Sequence, residues 1–134
     1  MHPPSLYHID QPAAAYDGSE IAIQTLFRNR CRMLCPRVQL VAVPNGTYIA
    51  SLAGRARAQR EGLSAGFPDL MAIASGKIAF LEFKAKRGRL SENQTEWLDR
   101  LAAFGFPVAL IRHPDSGIEF LRLAGFPFSG RLAA

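Results

Sequence analysis

Two acidic residues lie where a β-hairpin would bring them together. Strand-like runs cover residues 69–74 and 77–84 and are joined at Ser75-Gly76. With a two-residue or a four-residue loop, Asp69 and Glu82 sit directly opposite each other, with Cβ atoms ~5 Å apart. A three-residue loop would spoil this register. Two carboxylates at that separation repel each other, and a divalent cation removes the conflict, so the pair indicates a metal site.

Lys84 shares a face with Glu82, because side chains alternate along a strand. The strand before them is apolar on both faces, which indicates a central, buried strand. Charged side chains at the end of such a strand are unfavourable unless they are paired or functional. Beside a metal-bound phosphate, Lys84 could hold the attacking water or neutralise charge that develops on phosphorus.

Each of these residues also has an ordinary structural explanation. Asp69 after Pro68 could be only a turn residue, and Glu82 and Lys84 could form a surface ion pair. The joint pattern fits these explanations poorly, because the cluster is followed at once by a strongly basic link at residues 86–89. We therefore interpret the cluster as a candidate active site.

The first predicted helix supplies a possible fourth member. Asp17 and Glu20 offer a capping box at its start, with Asp17 as the N-cap, and Pro36 ends the run. Glu20 and Gln24 fall on the same helical stripe as the apolar residues that face the core. Glu20 could serve the capping box, the site, or both.

The remaining elements follow from hydrophobic periodicity and turn residues. Strands are predicted over residues 38–43 and 107–112, a polar helix over 52–62, and a short helix or extended segment over 118–123. A further helix has Ser91 as its N-cap, ends at Gly105, and uses as its apolar side Trp97, Leu98, Leu101, Ala102 and Phe104. The order indicates an α/β fold, a mixed central sheet flanked by helices.

One domain is expected from a chain of 134 residues. Residues 1–17 carry three prolines and no clear period, so we predict an irregular N-terminal arm, a domain over 18–126 and a tail over 127–134. The net charge of +5 suits a polyanionic partner, although this feature alone is weak. Cys31 and Cys35 are poorly spaced for a disulfide and are interpreted as core residues. No membrane span or secretory signal is recognisable, so a cytoplasmic location is expected.

At the candidate site the chain resembles a nuclease family. Residues 66–69 (GFPD) and 80–84 (FLEFK) match the P-D…(D/E)-x-K pattern of the PD-(D/E)XK nuclease superfamily. Further features resemble its virus-type replication-repair nuclease (VRR-NUC) domain: Glu20, residues 44–46 (PNG), a basic helix before GFPD, and K-x-G-x-L-S-x-x-Q over residues 86–94. The resemblance covers roughly residues 19–125. The first pattern alone is loose, and the continuation makes it fairly specific.

The resemblance implies a restriction-endonuclease-like core (αβββαβ) that hydrolyses DNA phosphodiester bonds with Mg²⁺ or Mn²⁺. Asp69 and Glu82 would ligate the metal, with help from Glu20 and the Phe83 carbonyl. Lys84 would be the catalytic lysine. Glu20 and Gln94 would support the site, although Gln94 could also be an ordinary first-turn helix residue.

Stand-alone members of this kind are similar to Holliday-junction resolvases. Homodimers that act on branched DNA in a bacterial or phage-infected cell are therefore implied by the resemblance. The spacing of residues in this chain indicates neither branch preference nor dimerisation.

Two basic groups could hold the DNA backbone. The loop group is Lys86, Arg87 and Arg89. The helix group is Arg55, Arg57 and Arg60, which could equally be a solvated helix face, and Asn45 is added from the PNG turn.

Two other functions remain open at this point: a DNA-binding module without cleavage, and a nuclease of this fold that acts on RNA. The carboxylate pair favours an enzyme over a module, because acidic residues weaken phosphate binding unless a metal intervenes.

Overall fold

A computed structural model describes residues 6–43, 53–54, 56–57 and 65–130. The strands are β1 (Tyr7–Ile9), β2 (Gln39–Ala42), β3 (Leu70–Ala74), β4 (Lys77–Phe83) and β5 (Val108–Ile111). The helices are α1 (Glu20–Leu34), α2 (Glu92–Ala103) and α3 (Pro114–Leu123), with a 3₁₀ turn at Pro12–Ala14. The strands form one mixed sheet in the order β1-β5-β4-β3-β2. The predicted α/β class is confirmed.

The hairpin of β3 and β4 has the predicted register. Ala74 pairs with Lys77 across the two-residue turn Ser75-Gly76, and the antiparallel ladder continues to Leu70 opposite Leu81. Gly76 has a φ of 72°, the backbone conformation that tight hairpin turns require. Asp69 and Glu82 lie one step beyond the last pair, so the ladder carries them to the same end of the sheet.

Strand β4 is central, as its sequence predicted. It pairs antiparallel with β3 and parallel with β5. One face of the sheet packs against α1 and α3, with a core that includes Phe27, Phe83 and Phe120. The other face packs against α2 through Phe80, Leu98 and their neighbours. Both faces are therefore covered, and a charged residue in β4 is withdrawn from water.

The predicted apolar side of α2 is partly wrong. Leu98, Leu101 and Ala102 are buried, but the Phe104 side chain is 68% exposed. The helix ends at Ala103, and Phe104 is the C-cap residue. At 100° per residue, Phe104 lies at the margin of the stripe formed by Leu98, Leu101 and Ala102, so its side chain points away from the sheet.

The ends of the domain are more ordered than the sequence predicted. Residues 7–9 form an edge strand parallel to β5, rather than part of an irregular arm. This run is too short for alternation to identify it, and its partner lies about a hundred residues away in the chain. At the other end, Phe126 and Phe128 are buried, so packing continues into the predicted tail.

Two helix starts also differ from their predictions. Ser19, not Asp17, is the N-cap of α1, and its hydroxyl accepts a 3.1 Å hydrogen bond from the Ala22 N–H. Glu20 is then the first residue of the helix and cannot close a capping box, which needs the third position. Helix α3 begins at Pro114, earlier than expected, because His113 accepts a hydrogen bond from the Asp115 N–H.

Three further predictions concern particular segments. Cys31 and Cys35 are free and buried, as expected. Residues 53–54 and 56–57 are helical, whereas the rest of the predicted 52–62 helix and the 44–46 turn, with Asn45, Arg55 and Arg60, lie outside the described residues. Among the helices described, none combines the length and apolar character needed to cross a membrane.

Candidate metal and active site

Three acidic side chains converge at the end of the sheet where β3 begins and β4 ends. Ligand atoms from Glu20, Asp69 and Glu82 lie within 4.8 Å of one another. Glu20 lies in the first turn of α1, Asp69 directly precedes β3, and Glu82 is the next-to-last residue of the buried strand β4. Carboxylates from three separate segments at that distance form an arrangement that can hold a divalent cation.

The Glu82 carboxylate is the most unusual group of the cluster. Glu82 is 1% exposed, and neither of its carboxylate oxygens has a hydrogen-bond partner within the described part of the chain. Burial, and then the adjacent Asp69 carboxylate, raise the pKa of Glu82 to about 10, while Lys84 acts in the opposite direction. A buried carboxylate without donors is strongly unfavourable, and a bound cation would compensate it. The donor set therefore fits a hard divalent metal.

Asp69 is fixed by hydrogen bonds on both sides. Its Oδ2 accepts a 3.0 Å hydrogen bond from the Phe83 N–H, and its carbonyl accepts one of 2.9 Å from the Val43 N–H. In an antiparallel pair the N–H and C=O of one residue point to the same side. By this rule the Phe83 carbonyl lies on the side of β4 that carries Asp69, which is consistent with its predicted part in a metal site.

The loop before Asp69 is anchored on α2. Gly66 has a φ of +86°, and a Cβ there would lie 2.6 Å from the Asn93 carbonyl carbon and 2.7 Å from the Gln94 nitrogen. The Phe67 ring packs edge-on against Trp97 and Phe80, with centroid distances of 5.0 and 5.6 Å. Only glycine permits this close approach, so the GFPD motif depends on the start of α2.

Glu20 belongs to the cluster rather than to a capping box. Burial raises the pKa of Glu20, with the charge of Asp69 adding to the effect and that of Lys84 opposing it. Its position at the N-terminus of α1 also favours a negative charge. Because Ser19 already caps α1, the geometry favours a role for Glu20 in the acidic cluster over a role in a capping box.

Lys84 follows β4 directly and faces the acidic cluster. Its backbone N–H donates a 3.0 Å hydrogen bond to the Ile111 carbonyl, which extends the pairing with β5 past the end of β4. Its positive charge acts on both Glu20 and Glu82. A Cβ at Gly88 would lie 3.3 Å from the Lys84 Cδ, so the following loop packs tightly on the lysine stem.

Gln94 has an ordinary structural role in this conformation. Its Oε1 accepts a 2.8 Å hydrogen bond from the Ser91 N–H, while the Ser91 hydroxyl accepts one of 3.1 Å from the Gln94 N–H. This reciprocal pair is the capping box of α2. Gln94 therefore adjoins the site through its backbone contact with Gly66, and its direct support of the site stays a prediction.

A buried polar cluster beside the site was missed in the sequence. Asp10 is 7% exposed and Arg112 is 6% exposed. The Asp10 carboxylate accepts hydrogen bonds from the Arg112 N–H at 2.8 Å, from His8 at 2.7 Å and from the Ser116 hydroxyl. This network ties β1 to the start of α3.

The guanidinium of Arg112 reaches the loop that follows Lys84. It donates hydrogen bonds to the carbonyls of Asp10, Ala85 and Lys86. Arg112 therefore holds in place the two residues after Lys84, which lead into the loop group of cations. The signal that could have found it is the one that singled out Glu82 and Lys84, a charged residue at the end of a buried apolar strand.

The predicted loop group of cations lies beside the acidic cluster. Lys86, Arg87 and Arg89 are exposed, and none has an acidic partner within the described residues. Arg57 is also exposed. Unpaired cations on the surface next to buried carboxylates suit a polyanion that must reach those carboxylates.

A mixed sheet that carries P-D and E-x-K at the adjoining ends of two antiparallel strands is the fold and site of a PD-(D/E)XK-type nuclease. The VRR-NUC domain family model matches residues 19–113, and the chain belongs to this family. Nucleases of this family generally use divalent metals. The predicted family is confirmed.

A solved structure described as a VRR_NUC domain protein has a similar fold. It superposes with a TM-score of 0.59 at 20% sequence identity, over 82% of this chain and 93% of that chain. At this identity the likeness extends to the fold alone. A search of curated proteins finds no match.

Proposed function

We propose that the protein is a Mg²⁺- or Mn²⁺-dependent endonuclease that hydrolyses phosphodiester bonds in DNA. The observation that carries the proposal is the Glu82 carboxylate, buried with no hydrogen-bond donor from the described residues beside Asp69 and Glu20. A module that only bound DNA would gain nothing from this cluster, because acidic groups repel phosphate unless a cation lies between them.

Asp69, Glu82, the Phe83 carbonyl and Glu20 would hold the metal. All four offer oxygen atoms, which Mg²⁺ and Mn²⁺ prefer. A metal bound there would act as a Lewis acid on the scissile phosphate and lower the pKa of a bound water. Asp69 is already oriented by the Phe83 N–H, so the chain supplies ligands that need little rearrangement.

Lys84 would act on the reacting phosphate itself. Its ammonium group would orient the attacking water or neutralise the negative charge that develops on the phosphate oxygens. The packing of Gly88 on the lysine stem would restrict the rotamers that Lys84 can adopt. Glu20 and Gln94 would support this arrangement from α1 and α2.

The exposed cations would bind the DNA backbone on either side of the reacting group. Lys86, Arg87 and Arg89 follow Lys84 directly and lie on the surface. Arg57, and Asn45, Arg55 and Arg60 outside the described residues, would add contacts. Each phosphate neutralised by such a side chain releases counterions and makes binding sensitive to salt.

Branched DNA, such as Holliday junctions, is the substrate form that we propose, with a homodimer as the acting species. The support for both is the similarity to Holliday-junction resolvases. Two active sites related by a twofold axis would suit paired cuts in a four-way junction. Light scattering on the purified chain tests the dimer separately from the activity.

The test is cleavage of labelled linear, flapped and four-way-junction DNA, and of matched RNA, with Mg²⁺, Mn²⁺ or EDTA. Glu82→Ala is compared with Glu96→Ala, which removes an exposed carboxylate from α2. We expect metal-dependent DNA cleavage that Glu82→Ala abolishes and Glu96→Ala retains. Cleavage that survives both EDTA and Glu82→Ala would overturn the mechanism. Binding without cleavage in any metal would favour a DNA-binding module, and cleavage of RNA alone an RNA nuclease.

A further inference from the structure

A cavity of about 350 Å³ lies between α1 and the edge strand β2, away from the loop group of cations. Its lining contains two arginines, Arg28 and Arg32, together with Gln39, two thiols and apolar residues. No acidic residue belongs to the lining that is described. A partly enclosed space with two cations and no anion is suited to a negatively charged ligand.

The two arginines of the cavity have no acidic partner among the described residues, whereas other arginines nearby do. The Nε of Arg28 is buried without a hydrogen-bond partner, and Arg28 forms no ion pair within the described segments. Arg32 donates a long hydrogen bond of 3.5 Å to the side chain of Asn29, which carries no charge. By contrast, Arg30 pairs with Asp115 and Arg122 with Glu119. A buried N–H without an acceptor is unfavourable, so an anion in the cavity would stabilise Arg28.

The cavity is connected to the acidic cluster by the two elements that form its walls. Helix α1 carries Glu20, Gln24, Arg28 and Arg32 at four-residue intervals, a ridge that winds slowly round the helix. Strand β2 leads to Val43, whose N–H donates to the Asp69 carbonyl. Both walls therefore lead from the cavity to residues of the proposed metal site.

The spacing along this ridge suits a nucleic-acid backbone. With a rise of 1.5 Å per residue, Arg28 and Arg32 lie about 12 and about 18 Å from Glu20 along the axis of α1. One DNA strand carries a phosphate about every 3.4 Å of helix axis. Both distances are shorter than one turn of duplex, about 34 Å, so the two arginines can reach backbone phosphates near a scissile phosphate held at the acidic cluster.

We propose that Arg28 and Arg32 bind phosphodiester groups of the substrate strand on one side of the scissile phosphate. We call this pair the α1 track. It rests on the proposed function, because it needs DNA at the acidic cluster. The ligand is the DNA backbone itself, and the contact is independent of base sequence.

The α1 track is tested by the salt dependence of DNA binding. Affinity for a labelled 30-base-pair duplex is measured by fluorescence anisotropy in EDTA over a series of salt concentrations, for the wild type and for R28Q/R32Q. Each duplex phosphate contact contributes about 0.9 to the slope of log K against log [salt]. We expect the slope of R28Q/R32Q to fall by about 2 and its affinity to fall several-fold.

Two further double variants of the chain control for net charge and for folding. K77A/R100A removes two exposed cations from other faces and should keep the wild-type slope. R28K/R32K keeps the charges and should recover most of the slope, which a role confined to packing would not predict. Thermal unfolding of each variant identifies any that fails to fold; R32Q alone, at an exposed position, then carries the comparison, with a slope expected to fall by about 1.

A length series locates the contact. Cleavable duplexes are shortened phosphate by phosphate from the 5′ side or the 3′ side of the cut. We expect R28Q/R32Q to raise KM on long substrates and to match the wild type once the duplex on one side of the cut is too short to reach the α1 track.

Equal slopes for the wild type and R28Q/R32Q would overturn the α1 track while leaving the nuclease proposal intact. A wild type that neither binds nor cuts DNA would instead overturn the proposed function.

Discussion

The side chain of Asp69 is held by the backbone N–H of Phe83 at 3.0 Å, one residue past the carboxylate that it faces across the hairpin. This bond links the GFPD loop to the end of β4. It uses one oxygen of the Asp69 carboxylate, and a second oxygen remains for a metal. The first carboxylate of the site is thus oriented by the fold itself.

Two replacements of Asp69 distinguish the effect of its hydrogen bond from Phe83 from the effect of its negative charge. Asp69→Asn keeps an oxygen that can accept from the Phe83 N–H, whereas Asp69→Ala leaves that donor without its partner. We expect both variants to lose cleavage by at least about 100-fold, since neither supplies an anionic ligand. Asp69→Ala should also lower the free energy of unfolding by about 1–2 kcal/mol more than Asp69→Asn. Wild-type cleavage by Asp69→Asn would contradict this role.

Glu82 should make the metal-free protein less stable as the pH rises. Its pKa in the folded chain is raised to about 10 from the ordinary value of 4.5. The unfolded chain therefore releases this proton at lower pH than the folded chain, and stability present below pH 4.5 is lost progressively towards pH 10. Glu82→Gln removes the penalty and should be more stable in EDTA by roughly 1–3 kcal/mol at pH 7. Thermal melts from pH 4 to pH 9 measure the difference.

Addition of metal should make the wild type more stable than Glu82→Gln. A metal that binds only the folded state stabilises it in proportion to the logarithm of its concentration over Kd. We expect millimolar Mg²⁺ or Mn²⁺ to raise the melting temperature of the wild type and to leave that of Glu82→Gln nearly unchanged. An equal rise in both would place the metal elsewhere.

Arg112 should affect both stability and DNA affinity. Its replacement by Met leaves the carbonyls of Asp10, Ala85 and Lys86 without their donor. We expect a loss of about 2–3 kcal/mol in the free energy of unfolding, because buried carbonyls lose their hydrogen-bond partner, and weaker DNA binding through the released basic residues after Lys84. Arg100→Met, on the exposed face of α2, is the matched control. Wild-type affinity in a folded Arg112→Met protein would restrict the role of Arg112 to stability.

Gly66 should be required for the position of Asp69. Gly66→Ala combines a φ of +86° with a backbone contact of 2.6 Å, whereas Gly105→Ala has a φ of +96° and nothing within 4 Å. The second variant therefore measures backbone strain alone. We expect Gly66→Ala to be destabilised by about 2 kcal/mol more than Gly105→Ala, and to lose cleavage. Equal effects of the two substitutions would show that the contact with α2 is unimportant.

The central part of this fold could be predicted because its signals are local. A two-residue turn sets the register of the hairpin, and that register alone brings Asp69 opposite Glu82. Alternation along β4 places Lys84 on the same side. Such features depend on residues close in sequence, so a single chain contains the information.

The parts that were missed depend on distant partners. Strand β1 has three residues, and only its pairing with β5 defines it. The N-cap of α1 was misplaced because Asp17 and Ser19 both have side chains that can cap, and the course of the chain before the helix decides between them. The contact between Asp10 and Arg112 joins residues 102 positions apart in the chain, so no local sequence pattern reveals it.

That distance has a consequence for the growing chain on the ribosome. The contacts of Asp10 with Arg112 and Ser116 join residues more than a hundred positions apart. Strand β5, which flanks β4, also follows both strands of the hairpin in the chain. The carboxylates and the basic residues after Lys84 can therefore be assembled only after β5 and the start of α3 have been synthesised, so a fragment that stops before β5 should lack nuclease activity.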